Sequence, residues 1–140
     1  MTQYAILSSD GTFILSLLGP LNAGSIGVTA IDNSDPRYTA WLARQALASA
    51  PCHVQSTATP SLDGDYAIDD ASQQRIIGIA AGIAARGRLP GGGTTFNYRD
   101  AGGMPHAFSS TDFLNFAAAL EDYVYALQNG QTPTSPVVIA

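Results

Sequence analysis

The most constraining feature of this sequence is the stretch FNYRDAGGMPHAF, residues 96–108, because its residue order permits few local structures. Phe96 and Tyr98 alternate with polar residues, which is the period of a β-strand. The glycine-rich segment 100–103 predicts a turn, since glycine accepts the positive φ angles that many turns require. The returning strand is predicted to place three residues on one face: Met104, His106 and Phe108. The stretch therefore predicts a β-hairpin.

A helix with a strong N-terminal signal follows this hairpin. Ser109 is a suitable N-cap, and Asp112 stands three residues later, as in a short version of the capping box. Phe108 and Phe113 flank the cap at the spacing of a hydrophobic staple. The Asn-Gly pair at 129–130 closes the predicted helix. Its apolar stripe comprises Phe113, Phe116, Ala117, Leu120, Val124 and Leu127.

An amphipathic helix also precedes the hairpin, so residues 66–130 are predicted to form a helix–hairpin–helix module. Asp69 or Asp70 caps its N-terminus, and Gly87 is placed for a left-handed C-cap. The buried face of this helix is predicted to contain Ile76, Ile79, Ala80 and Ile83.

A smaller module is predicted at residues 1–50. In TQYAILSSDGTFILSLL two apolar runs flank the Asp-Gly pair at 10–11, which is typical of a tight β-hairpin. A short strand is predicted at 25–31, and a helix begins at Pro36, where the first turn tolerates proline.

The two modules are predicted to be linked parts of an α+β protein. Residues 51–65, PCHVQSTATPSLDGD, lose all periodicity and are interpreted as a linker. Residues 131–140 are predicted to be an extended tail with a short apolar end. The residues predicted to form the core are Tyr38, Trp41, Phe96, Phe113 and Phe116.

The charge pattern argues against several classes of partner. The chain has 6 basic residues, all of them arginine, against 11 acidic ones, and its net charge is −5. Nucleic-acid binding requires clustered cations that neutralise phosphates, and anionic membranes attract the same clusters, so we expect neither partner. A single Cys excludes an internal disulfide. With no apolar run long enough for a bilayer and no signal peptide at the start, we expect synthesis in a cytoplasm.

The groups capable of chemistry all have simpler structural interpretations. His106 stands close to Ser109 and Ser110, but a nucleophilic serine needs a histidine oriented by a carboxylate, and Ser109 is already predicted to be a cap. His106 is interpreted as a packed residue with one hydrogen bond. The GGGTT segment at 91–95 lacks the lysine of a phosphate-binding loop.

The candidate metal and nucleophile groups are equally weak. Cys52 and His53 are adjacent in the sequence, but zinc usually takes four ligands. His106 is the one other histidine in the chain, so a zinc site would need further ligands brought together by chance. The aspartates between 63 and 70 lack the spacing of a calcium loop. We therefore predict no catalytic residue, no cofactor and no metal site, and thus a protein that is not an enzyme.

Residues 66–127 resemble a domain of unnamed function found in bacteriophage tail proteins and tail-fibre-associated proteins. The resemblance includes a helix start of the Ile-Asp-x-Ala-Ser-Gln type, an aromatic-Arg-Asp-Ala-x-Gly hairpin and a His-x-Phe strand end. The matching residues are Ile68, Asp69, Ala71, Ser72, Gln73, Tyr98, Arg99, Asp100, Ala101, Gly103, His106 and Phe108.

The resemblance implies a structural virion protein of a phage tail, in the baseplate or at the fibre attachment, made in the host cytoplasm. Its partners would be other tail proteins and further copies of itself. The candidate partner-interface residues are Tyr38, Trp41, Val137, Val138 and Ile139. Three alternatives stay open: a tail-fibre assembly chaperone absent from the virion, a small glycan-binding module, and a hydrolase using His106 with Ser109 or Ser110.

Overall fold

The computed structural model describes residues 2–12, 14–18 and 28–140, and within these ranges the chain forms three α-helices and eight short strands. The helices are α1 (Pro36–Ser49), α2 (Asp70–Arg86) and α3 (Ser110–Gln128). The strands are β1 (Thr2–Leu7), β2 (Ile14–Leu18), β3 (Val28–Asp32), β4 (Cys52–Ser56), β5 (Gly64–Tyr66), β6 (Phe96–Arg99), β7 (Pro105–Phe108) and β8 (Val137–Ile139). The predicted α+β class is confirmed.

The N-terminal strands form one antiparallel sheet in the order β2-β1-β3. The predicted hairpin is present, but β1 ends at Leu7 and β2 begins at Ile14, so the connection is longer than a tight two-residue turn. Gly11 has a φ of 71°, and its N–H donates to the carbonyl of Ser8 at 2.9 Å. Of the strand predicted at 25–31, residues 28–31 belong to β3 and residues 25–27 lie outside the described residues.

Helix α1 covers one face of this sheet. Asp35 is its N-cap and accepts a hydrogen bond from the backbone N–H of Arg37 at 2.8 Å, while Pro36 occupies the first helical position. Between helix and sheet lies a small apolar cluster. It consists of buried Ala5, Ile14 and Ile31 with half-buried Leu7, Leu17, Tyr38 and Trp41. The first module is therefore a three-stranded sheet covered by one helix.

Residues 51–65 do not form a linker, so that interpretation was wrong. Strands β4 and β5 pair antiparallel within this segment, and Cys52 and Val54 are buried in the main core. The sequence CHVQS alternates inward and outward residues, but the strand is short and is surrounded by Pro, Ser, Thr, Asp and Gly, which obscured the period of two. Residues 60–62 form a single 3-10 turn that buries Leu62.

The C-terminal tail completes this second sheet. Strand β8 pairs parallel with β4, giving the order β5-β4-β8 and placing Val137 opposite Val54. Val137 and Ile139 are buried in the core, whereas Val138 between them is 59% exposed. The extended tail was predicted correctly, but its apolar residues fill the protein's own core.

The helix–hairpin–helix order of residues 66–130 is confirmed. Asp69 caps α2, and Gly87 ends it with a φ of 64°. Ser109 caps α3, and the rings of Phe108 and Phe113 lie 5.4 Å apart, as the predicted staple requires. The core between these elements is rich in aromatic rings: Tyr66, Phe96, Tyr98, Phe108, Phe113 and Phe116. Met104 does not share the face of His106 and Phe108, because it precedes β7 and is exposed.

The two modules pack on each other through α1. Tyr38 and Trp41 contact the N-terminal cluster, while Leu47, about two turns further along the same helix, packs against the main core. Helix α1 also contacts α3. One helix thus belongs to both apolar clusters, which makes it the joint between the modules.

Candidate functional site

The first candidate site surrounds His106, which strand β7 turns toward the core. Its side chain is 9% exposed and its two ring nitrogens are both engaged. Nδ1 lies 2.8 Å from the carbonyl oxygen of Ser61, and Nε2 lies 3.0 Å from Oδ2 of Asp100. A Cβ placed on Gly64 would stand 3.3 Å from Nε2, so the glycine leaves room for the imidazole. His106 is a packed residue, as predicted, but it has two hydrogen-bond partners rather than one.

Asp100 connects this histidine to the hairpin turn. Its Oδ1 accepts from the backbone N–H of Met104 at 2.8 Å, and its Oδ2 faces His106. The hydrogen bond with His106 lowers the pKa of Asp100 below its ordinary range. Burial works to lower the pKa of His106, but the Ser61 carbonyl and the Asp100 carboxylate outweigh burial and raise it. The pair therefore favours an imidazolium beside a carboxylate.

Ser109, the serine nearest to this histidine in sequence, is engaged elsewhere. The hydroxyl of Ser109 donates to Oδ2 of Asp112 at 2.8 Å and accepts from the backbone N–H of Asp112 at 3.2 Å. Both ring nitrogens of His106 already face Ser61 and Asp100. The serine–histidine bond that a hydrolase would need is therefore not formed in this arrangement.

Cys52 and His53 lie on opposite faces of β4, because successive residues of a strand point in opposite directions. The Cys52 thiol is buried, and burial raises its pKa to about 12, the reverse of what a nucleophilic cysteine needs. Exposed His53 pairs with Asp65 at 2.7 Å. Among the described residues, no group of three His, Cys, Asp or Glu side chains is placed to hold a metal ion. In the same part of the chain, no helix is long and apolar enough to cross a membrane.

The five predicted interface residues do not form one surface. The rings of Tyr38 and Trp41 stack at 6.4 Å on the inner side of the N-terminal sheet, where both are half-buried. The indole N–H of Trp41 is buried and has no hydrogen-bond acceptor among the residues that the structure describes. Val137 and Ile139 contact the chain's own core, so Val138 is the exposed member of the tail.

A second candidate site, which we call the outer sheet face, lies on the side of the N-terminal sheet away from α1. Residues paired directly across strands share a face, and the register gives this face its members. They are Tyr4, Ile6, Ser16, Leu18, Val28 and Ala30. None of these six is charged, and Ile6 is 39% exposed. Asp32, at the end of β3, stands at its border and accepts from the N–H of Ser34 at 2.9 Å.

A family comparison matches residues 36–131, more than half of the chain, to the family described as a domain of unknown function, DUF4376. The chain belongs to the DUF4376 family. The DUF4376 region begins at the first residue of α1 and contains α1, α2, α3 and the four strands from β4 to β7. Comparison with the curated proteins and with the solved structures gives no match.

The DUF4376 region is wider than the segment 66–127 on which the resemblance to phage tail proteins depends. The family description names no function, so that resemblance stays a prediction. The His106 site lies inside the DUF4376 region, whereas the outer sheet face lies entirely before it. Sequence reasoning missed this face, although the runs QYAIL and ILSLL are apolar at adjacent positions, a sign that both sides of a strand are covered.

Proposed function

We propose that this protein is a non-enzymatic structural component of a bacteriophage tail, placed in the baseplate or at the fibre attachment. It binds a neighbouring tail protein through the outer sheet face. The observation that carries the proposal is the uncharged, largely apolar character of this face, which has no covering element among the described residues.

The pattern of the strands supports a covered face. A sheet with one side in water usually alternates apolar and polar residues, but β1 places Ala5 toward α1 and both Tyr4 and Ile6 on the opposite side. Full burial of an aliphatic or aromatic side chain contributes about 1.5–3 kcal/mol. Contact with another protein would cover these side chains and recover that free energy.

The position of the face supports an attachment role. It precedes the DUF4376 region, and α1 connects it to the main core by packing against both apolar clusters. A partner bound to the sheet would therefore hold the DUF4376 region in a defined orientation. The tail assignment itself is supported by the resemblance of residues 66–127.

The side chains capable of chemistry have structural contacts, which supports a role without catalysis. His106 holds the hairpin to the turn at Ser61, Ser109 caps α3 and the Cys52 thiol is buried. Each of these groups has a structural partner, so none is left with the orientation that covalent or acid–base chemistry needs.

Analysis of purified virions by mass spectrometry tests the structural role. In the phage that encodes this chain, we expect the protein in every particle at a constant copy number relative to other tail proteins. Presence in infected cells combined with absence from particles would reject the structural role and favour the assembly chaperone.

A substitution tests the attachment surface. Ile6→Lys places a charge on the outer sheet face and is expected to remove the protein from particles. Leu42→Lys is the matched control, because Leu42 is 45% exposed on α1, away from that face, and its variant should be incorporated normally. Circular dichroism of both purified variants checks that they fold. Normal incorporation of folded Ile6→Lys would contradict the proposed surface.

A further inference from the structure

A groove of about 350 Å³ lies between α2 and strand β6, within the DUF4376 region and apart from the outer sheet face. It is lined by Arg75, Ile79, Pro90, Phe96, Asn97, Tyr98 and Arg99. All four residues of β6 thus contribute to one wall, while α2 supplies an arginine and an isoleucine to the other. The groove combines a strand edge, an apolar floor and two cations.

The wall formed by β6 is an unpaired strand edge. Strand β6 pairs with β7 alone among the described strands. In the turn, the N–H of Asp100 donates to the carbonyl of Met104 at 2.9 Å, and hydrogen-bonded pairs alternate along an antiparallel ladder. The backbone groups of Phe96 and Tyr98 therefore face β7, and those of Asn97 and Arg99 face outward.

The residue opposite Arg99 agrees with this alternation. It is Pro105, which has no N–H and fits a position where no ladder bond forms. No backbone partner for Asn97 or Arg99 occurs among the described residues. Two N–H and two C=O groups are thus available to another extended chain.

The cations give this edge a charge preference. Arg75 and Arg99 both line the groove, and no carboxylate does. Arg99 uses one N–H to donate to the carbonyl of Gly103 at 2.7 Å, and Arg75 has no hydrogen bond or ion pair among the described residues. The acids near these arginines along the chain do not line the groove: Asp69 accepts from Ser72, Asp70 is the first residue of α2, and Asp100 faces His106. A locally positive groove in a chain of net charge −5 is complementary to an anionic partner.

We propose that this groove binds an extended acidic segment of a partner protein, which adds to β6 as a third strand of the β6–β7 hairpin. Alternate side chains of an added strand point to opposite faces. One set would pack against Ile79 and Phe96, and the other would place carboxylates beside Arg75 and Arg99. The exposed backbone donors and acceptors match a polypeptide better than a nucleic acid, because a phosphate chain has no N–H to return to the strand edge.

The test uses the full-length protein and a fluorescently labelled seven-residue peptide of alternating valine and glutamate. We expect saturable binding by fluorescence anisotropy. We also expect the amide signals of Asn97 and Arg99 to shift in NMR spectra and their hydrogen exchange to slow, because both N–H groups gain acceptors. The control peptide, with glutamine in place of glutamate, should bind roughly tenfold more weakly because two exposed ion pairs are lost.

The variants assign the effect to the groove. Arg75→Gln combined with Arg99→Gln should also weaken binding of the glutamate peptide roughly tenfold. Arg86→Gln is the matched control, because Arg86 lies at the end of the same helix and does not line the groove. NMR spectra of each variant check the fold.

Several results would overturn the proposal. These are no saturable binding at millimolar peptide, equal affinity for the glutamine peptide, or signal changes away from β6. Binding of single-stranded oligonucleotide through Arg75 and Arg99 in place of the peptide would identify a different ligand. Sedimentation that shows self-association through the groove, with no peptide binding, would replace the partner with a second copy and equally refute the proposal.

Discussion

Raising the pH through the pKa of His106 is expected to destabilise the fold, because the two ring nitrogens face two acceptors. The carbonyl oxygen of Ser61 and Oδ2 of Asp100 each require an N–H. The imidazolium supplies both, whereas the neutral ring has one N–H and turns a lone pair toward the other acceptor. The protonated form therefore fits the site.

The direction of the pH effect follows from the raised pKa of His106, whose ordinary value is 6.5. Its contribution to stability is fully present below that pH and is lost as pH rises through the folded-state pKa. The pKa of Asp100 is lowered from 3.8, so its contribution is present above that value and is lost as pH falls through the folded-state pKa. The pair therefore stabilises the fold most between these two ordinary values.

The size of the effect follows from the burial of the pair. The side chain of His106 is 9% exposed and that of Asp100 is 15% exposed. Water therefore has little access to an acceptor that loses its hydrogen bond to the histidine. Leaving one buried acceptor without a donor costs about 1–3 kcal/mol. In a domain of this size each kcal/mol lowers the midpoint of thermal unfolding by roughly 3–5 °C.

Asp100→Asn is expected to reverse the sign of this pH dependence. The amide oxygen can still accept from the Met104 N–H, while the amide nitrogen donates to Nε2 of a neutral ring whose Nδ1–H bonds to Ser61. The variant should therefore have a His106 pKa below 6.5 and gain stability as pH rises.

Urea unfolding at pH 5.5 and 8.5, with NMR titration of the ring protons, measures both effects. Both proteins carry His53→Gln, so that His106 is the titrating histidine. An Asp100→Asn variant that loses stability with rising pH as the parent does would refute the reasoning.

Three further predictions concern single side chains. Cys52 should react with a thiol reagent only as fast as the protein unfolds, because burial raises its pKa to about 12, and rapid labelling of the native protein would contradict this. Ser109→Ala should lower the free energy of unfolding by about 1 kcal/mol, because α3 loses its N-cap. Ser110→Ala is the control, and equal effects of the two substitutions in urea titrations would contradict the capping role. Ile139→Ala should cost about 2–5 kcal/mol and exposed Val138→Ala less than about 0.5 kcal/mol, and a reversed order in thermal unfolding would place the wrong residues in the core.

The parts of the fold that sequence predicts well are those specified by neighbours along the chain. The caps at Asp69 and Ser109, the left-handed Gly87 and the staple of Phe108 with Phe113 each depend on residues within about five positions. The hairpin turn at 100–103 belongs to the same class, since its glycines and Asp100 act within five residues. These elements appear where the sequence predicts them.

The parts that sequence misses depend on distant partners. Strand β4 is stabilised by β5 and β8, and β8 comes from the far end of the chain, so the pattern of residues 52–56 alone resembled a loop. His106 acquires its second hydrogen bond from Ser61, 45 positions earlier. The outer sheet face and the β6 edge become visible only once strand register shows which side of each strand has no neighbour.

Strand β8 has a consequence for the order in which this protein can fold during translation. It is synthesised after every other element described here, yet it pairs with a strand that left the ribosome much earlier, and Ile139 accepts a hydrogen bond from Thr57 across 82 positions. A nascent chain can form its helices and hairpins as they emerge, but β4 keeps one edge open until residue 139 is free. The nascent domain therefore keeps an open, aggregation-prone strand edge until residue 139 has emerged from the ribosome.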